Sequence, residues 1–186
     1  DIRKYRYDEY MDIFSVVFQD FKLFALPLGQ NVATAQHYDV ARAADCLQKA
    51  GFSDRLARMP KGLDTCLYKD LDEDGVTISG GEAQKIAIAR ALYKDAPFIV
   101  LDEPTAALDP VAEAEIYAKF NEIAGDKTAI YISHRLSSCK FCDEIAVFDH
   151  GEVVQQGTHE ELLGEPDGKY YELWNAQAQY YTEESA

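Results

Sequence analysis

Basic charge, long apolar runs and a phosphate-loop motif are all scarce or missing in this chain. Against 33 Asp and Glu stand only 18 Lys and Arg in 186 residues, a formal net charge of −15. The deficit is uneven, because residues 94–186 hold 6 of those basic side chains and 19 of the acidic ones. Such a field repels phosphate backbones at long range and argues against non-specific nucleic-acid binding. Any phosphate must be handled locally, by metal ions and backbone dipoles. The longest uncharged stretch, Leu23 to Tyr38, has 16 residues and contains Pro27, Gly29, Gln30, Asn31 and Gln36. That is too short and too polar to span a membrane. No Gly-x-x-x-x-Gly-Lys-Ser/Thr occurs anywhere, and no basic-then-apolar leader reads as a signal peptide. The opening Asp1-Ile2-Arg3-Lys4-Tyr5 looks like the middle of something longer. Cysteine is sparse too: Cys46, Cys66, Cys139 and Cys142. Only the last two have Cys-x-x-Cys spacing, and no second pair completes a four-ligand zinc site. They read as reduced structural thiols, with a redox or metal role as the alternative.

What the chain does have is enough apolar material for a core: 47% of residues, including 12 Tyr and 9 Phe. That suits one domain or somewhat more. Ile13 to Gln19 is β-branched and aromatic, and reads as a buried strand ending in a polar residue. From Leu23 to Lys94 the texture is helix and loop. Asp39 to Ala50 has helical spacing, with Val40, Ala43, Ala44 and Leu47 on one face and Asp39 as N-cap. Pro60 to Asp64 reads as a turn and Asp70 to Gly75 as a solvated acidic loop. Gly81 to Tyr93 predicts a helix that begins on glycine. Phe98 to Leu101 predicts a parallel strand covered on both faces. A helix follows Pro110, then buried strands at Thr128 to Ser133 and Glu144 to Phe148. His150-Gly151 turns the chain into Glu152 to Gln155. The alternation argues for an α/β protein with a largely parallel sheet.

Four segments carry candidate chemistry. Asp102-Glu103 closes the strand Phe98 to Leu101, and ligands of open α/β sheets sit beyond that end. An Asp there can hold Mg²⁺, and the neighbouring Glu can polarise a water. A solvated strand terminus is the plain alternative. Ser79-Gly80-Gly81-Glu82 precedes a helix, so its first-turn N–H groups can approach an oxyanion; a Ser-capped helix with flexible Gly reads equally well. Gln19 and Ser133-His134-Arg135 end two further strands. Taken singly, each has an ordinary structural explanation.

Taken together, they resemble a known pattern. The run Ile78 to Leu92 resembles the signature motif and following helix of ATP-binding cassette (ABC) ATPases. Phe98 to Pro104 is similar to their Walker B strand, Ala106 to Asp109 to their D-loop, Ser133 to Arg135 to their switch-histidine loop, and Phe18-Gln19 to their Q-loop. Order and spacing agree along essentially the whole chain. The resemblance implies a P-loop NTPase (RecA-like) core, incomplete, with an inserted α-helical signature subdomain. Residues 1–22 and 95–150 would form the partial core, 23–94 the helical subdomain, and 151–186 a C-terminal strand and helices packed on the core. It further implies ATP and Mg²⁺ as cofactors. Asp102 would bind the metal, and Glu103 would be general base for the attacking water. His134 would contact the γ-phosphate, and Gln19 would sense phosphate and metal. Ser79, Gly80, Gly81 and Glu82 would bind ATP held by a second ABC ATPase domain, identical or homologous, and Asp109 would link the two sites.

Asp20 to Phe24 with Gln30-Asn31-Val32, and the tail Gly151 to Leu163, look like exporters, where a groove receives the coupling helices of a transmembrane domain. The expected setting is the cytoplasmic face of a bacterial membrane, with ATP hydrolysis driving export. Tyr170, Tyr171, Leu173 and Trp174 suggest a C-terminal helix packing aromatics on the core. The pattern is broken in three places. Glu82 stands where the family has Gln, so it either points away or weakens phosphate docking. Lys69 to Gly75 replaces the family's acidic-basic loop, and the phosphate loop with its adenine-stacking aromatic is absent from these residues. The chain is therefore expected to be the later part of such a domain and inactive by itself. Two alternatives stay open: a soluble ABC ATPase of translation or DNA repair, and a regulatory module with a dead site.

Overall fold

A β-branched, aromatic run must pair its backbone with neighbours, and three such runs find one another here. The computed structural model describes residues 1–108, 110–118 and 124–183. A short helix α1 (Tyr7–Asp12) leads into β1 (Phe14–Val17). The chain then leaves the sheet through α2 (Leu28–Ala33), α3 (Val40–Lys49), α4 (Ser53–Ala57) and α5 (Gly80–Lys94). It returns as β2 (Phe98–Asp102), passes along α6 (Pro110–Ala118) and enters β3 (Thr128–Ile132). The strands pair in the order β1-β2-β3, all parallel, with Val17 beside Leu101 and Asp102 beside Ile132. All three therefore end at one edge, and parallel pairing is what the long helical crossovers between them allow.

One face of the sheet is buried. Val17, Ile99 and Leu101 share a core with Ile86 and Ile88 of α5 and with Leu28, Leu47, Phe52 and Leu67 of the helical insertion. The other face is more open than the apolar runs suggested. In β2, Phe98 and Val100 are half-buried. In β3, expected to be buried, Ile130 and Ile132 are 48% and 49% exposed. β3 is an edge strand whose Ala129 and Tyr131 side packs on the core, and composition cannot tell one covered face from two. In α3, Asp39 caps as expected, its carboxylate accepting from the Arg42 N–H at 3.0 Å. The buried stripe is Ala43, Cys46 and Leu47, while Val40, expected on it, stands exposed in the first turn.

Residues 1–132 and 133–186 form two compact units. The second surrounds its own cluster of Leu136, Ile145, Val147, Leu162 and Tyr170. Its strands β4 (Ile145–Asp149) and β5 (Glu152–Gly157) are antiparallel and form a separate two-stranded ribbon, not an extension of the parallel sheet. The turn between them places His150 at φ 48° and Gly151 at φ 85°, the paired positive angles that match hairpin twist. A capping box at Thr158 and Glu161 starts α7 (His159–Leu163). In α8 (Lys169–Glu183) Tyr170 is fully buried and Trp174 packs beside it, whereas Leu173 is exposed. Among the described residues no helix is long and apolar enough to cross a membrane.

Candidate functional site

Side chains that follow the last residue of a parallel strand project past the sheet edge, so register alone brings Gln19 and Glu103 together. The Gln19 amide nitrogen donates to a Glu103 carboxylate oxygen at 2.9 Å. Glu103 sits at φ 47°, a left-handed conformation that costs a non-glycine residue about 1 kcal/mol or more. Surrounding bonds impose it. Its N–H donates to the Ile132 carbonyl at 2.9 Å, and its own carbonyl accepts from the Ala106 N–H at 3.1 Å and from Gln84 at 2.9 Å. Gln84, on the buried side of α5, also accepts from the Ala107 N–H at 2.9 Å. One amide thus links the helix to the turn after β2.

Behind that turn, the buried Thr105 hydroxyl lies 3.2 Å from a Glu113 carboxylate oxygen and 3.0 Å from the Tyr117 hydroxyl. The Tyr117 hydroxyl in turn lies 3.0 Å from the Tyr131 hydroxyl, so the turn after β2, α6 and β3 are joined through polar atoms. Burial first, then the hydrogen bond to Glu113, pushes the Tyr117 phenol far above its ordinary value, which keeps it neutral.

Asp102 makes no side-chain hydrogen bond or ion pair among the described residues. Its carboxylate is therefore available to a cation, as is the Gln19 carbonyl oxygen. Mg²⁺ takes one or two carboxylates and fills the rest of its shell with water and phosphate oxygens. The donors present fit that demand. No cluster of three or more His, Cys, Asp or Glu able to hold a metal by themselves occurs among the described residues.

At the start of α5, Ser79 is the N-cap. Its hydroxyl accepts from the Glu82 N–H at 3.3 Å, and the Glu82 carboxylate accepts from the Ser79 N–H at 2.9 Å. The other Glu82 oxygen faces Arg55 Nε at 2.8 Å in an ion pair off the line of a hydrogen bond. Gly81 packs so close to the turn after β2 that an added Cβ would meet Leu108 at 3.2 Å and the Ala107 carbonyl at 3.4 Å. Ser79, Gly80, Gly81, Glu82, Lys85, Ala107, Leu108 and Ala112 line an open pocket of about 440 Å³, within the size range of small-ligand sites.

The exporter-like stretch is held in place by the fully buried Asn31. It accepts from the Phe24 N–H at 2.8 Å and donates to the carbonyls of Phe24 and Leu26 at 3.0 and 3.1 Å. Phe24 and Leu26 are exposed beside it, while Phe21 packs into the core. His134 belongs to the second unit, where its carbonyl accepts from the Gln177 amide. Asp109 lies outside the described residues. All four thiols are free; burial raises Cys139, and raises Cys142 to about 11, so both are neutral and poorly nucleophilic. Sequence reasoning missed Gln84 and Arg55 as parts of this site. A polar residue on an apolar helix face was the visible hint for Gln84. Arg55, 27 residues before its partner, left none.

Comparison with known proteins agrees with this geometry. A family model described as "ABC transporter" matches residues 1–106. The ATP-dependent lipid A-core flippase of Idiomarina loihiensis is 43% identical over 169 residues, which is 88% of this chain and 28% of that protein. The mitochondrial iron-sulfur clusters transporter ABCB7 of Oryzias latipes is 41% identical over 88% of this chain and 21% of its own length. A solved structure of a bacterial Atm1-family ABC exporter with ATP bound superposes with a TM-score of 0.82 at 36% identity, over 92% of this chain and 30% of that one. The chain thus spans about a quarter of the curated relatives it matches. With strand-end carboxylates, a Ser-Gly-Gly helix start and a family match over more than half its residues, the chain belongs to the ABC transporter family, with the mixed α/β P-loop NTPase fold of that family's ATP-binding domains.

Proposed function

We propose that these residues form the C-terminal part of the ATP-binding domain of an exporter, which binds and hydrolyses Mg-ATP to drive substrate across a membrane. The observation that carries the reading is the Gln19–Glu103 hydrogen bond at the edge where three parallel strands end. It holds a carboxylate where a water would be activated, one residue from the unpartnered Asp102. Asp102 and the Gln19 oxygen would hold Mg²⁺, whose role is to neutralise the phosphate charge. Glu103 accepts the proton of the attacking water, and His134 contacts the γ-phosphate. The Ser79–Glu82 pocket and Asp109 serve ATP held by a second such domain, homologous or identical, in a head-to-tail dimer. Residues 1–22 and 95–150 act as the partial core, 23–94 as the signature subdomain and 151–186 as its C-terminal extension. The exposed Phe24 and Leu26 meet coupling helices of a transmembrane domain on the cytoplasmic side of a bacterial membrane.

Two measurements test this. In the intact protein, Glu103→Gln lowers the phosphate-release rate about 100-fold or more while Mg-ATP still binds; a variant within tenfold of the parent rate excludes Glu103 as the base. The 186 residues alone, which contain no phosphate-cradling Gly-Lys loop, show no turnover in calorimetry with Mg-ATP. Micromolar binding with turnover there overturns that part of the reading.

A further inference from the structure

We infer that Arg55 is a positioning residue for the pocket at the start of α5, where its guanidinium cancels the charge of Glu82 and leaves the rim net positive for a phosphate oxyanion. The inference rests on the proposed phosphate role of that pocket. Glu82 lines the same pocket as Ser79, Gly80 and Gly81. The free N–H groups of a helix start attract an anion, and an unneutralised carboxylate at the third position of the helix opposes that attraction. The structure engages both Glu82 oxygens elsewhere. One accepts from the Ser79 N–H at 2.9 Å, and the other faces Arg55 Nε at 2.8 Å. Arg55 is itself braced, with a second guanidinium nitrogen donating to the Thr77 carbonyl at 3.2 Å, two residues before Ser79. The side chains of the pair are only 33% and 27% exposed, so solvent and salt screen them less than a surface pair.

With Glu82 matched by Arg55, the remaining charge on the pocket rim is Lys85, which makes no ion pair among the described residues. The rim is then positive by one charge within a chain whose formal net charge is −15. Without Arg55 it falls to zero, with a carboxylate beside the anion. A structural role predicts something different, because α4 and the Thr77 segment would loosen whatever residue stood at 82.

The test uses the intact protein, with steady-state ATP hydrolysis followed against Mg-ATP concentration at low and high KCl. The variants are Arg55→Gln, Glu82→Gln and the two combined, with Ser79→Ala probing the pocket itself. Arg55→Gln raises KM about tenfold and changes kcat by less than about twofold, and the defect shrinks at high salt. Glu82→Gln alone lowers KM. The double variant returns KM to within about twofold of the parent, although it too has lost the brace on Thr77, so recovery separates charge from folding. If the double variant is as impaired as Arg55→Gln, or if Arg55→Gln leaves KM unchanged, the inference is overturned. If Ser79→Ala has no effect, the phosphate reading of the pocket fails as well; a Ser79 effect without Arg55–Glu82 coupling removes the Arg55 inference alone.

Discussion

Gln84 shows how much a single side chain can organise. It is 3% exposed, donates to the Glu103 carbonyl and accepts from the Ala107 N–H. Leu has nearly the same volume and can do neither. At about 1 kcal/mol for each hydrogen bond, Gln84→Leu lowers the unfolding free energy by about 2 kcal/mol in urea titration. In the intact protein it also slows ATP hydrolysis, because the turn that carries Glu103 loses its tie to α5. An unchanged rate would show that the turn holds its shape without that amide. Residues at strand ends were legible in the sequence because a parallel strand leaves little choice about where the next side chain goes. Asp102, Glu103 and Gln19 follow from that rule. Glu82 was legible only as an oddity. One of its oxygens closes a capping box with Ser79, a local pattern, while the other meets Arg55, and a contact across 27 residues has no local signature.

Among the elements, the segment from Lys22 to Leu26 that leads into α2 forms neither helix nor strand, and side chains supply much of its order beside a backbone bond from the Leu67 N–H to the Leu26 carbonyl at 3.1 Å. Asn31 closes it from within, and Arg90 of α5 pins it from outside, donating to the Asn31 carbonyl at 2.9 Å and the Lys22 carbonyl at 3.1 Å. Asn31→Ala removes the inner bonds and strands backbone groups in a buried place. The expected cost is about 3 kcal/mol, and amide exchange at Phe24 should accelerate accordingly. Exchange at the parent rate would show that Arg90 suffices. Helix α5 and strand β2 were readable from periodicity, which is strong over 15 residues and over an unbroken apolar run. The antiparallel pairing of β4 and β5 was legible in the turn between them. A two-residue turn at His150-Gly151 cannot return a chain parallel to itself, so the hairpin was implied. The openness of β3 was not readable, since Ile130 and Ile132 are as apolar as any core residue and only the strand order makes them an edge.

On the scale of the molecule, two separate apolar clusters lie in two compact units. Cooperativity follows shared burial, so each unit is a candidate unit of unfolding. The first contains Gln19, Asp102, Glu103 and the Ser79 pocket, and the second begins just before His134. Denaturation followed by far-UV circular dichroism and by tryptophan fluorescence is expected to give two different midpoints; coincident curves would mean one transition. The difference is measurable because the chain has a single tryptophan. Trp174 packs in the second unit, with the His159 ring 4.8 Å away and the Lys140 ammonium 5.0 Å above its face. That lone indole is a gauge wired to one compartment. A stability screen read by its emission can report an intact protein while every carboxylate proposed for chemistry is already unfolded, and a ligand that protects those carboxylates can go unseen by the same light.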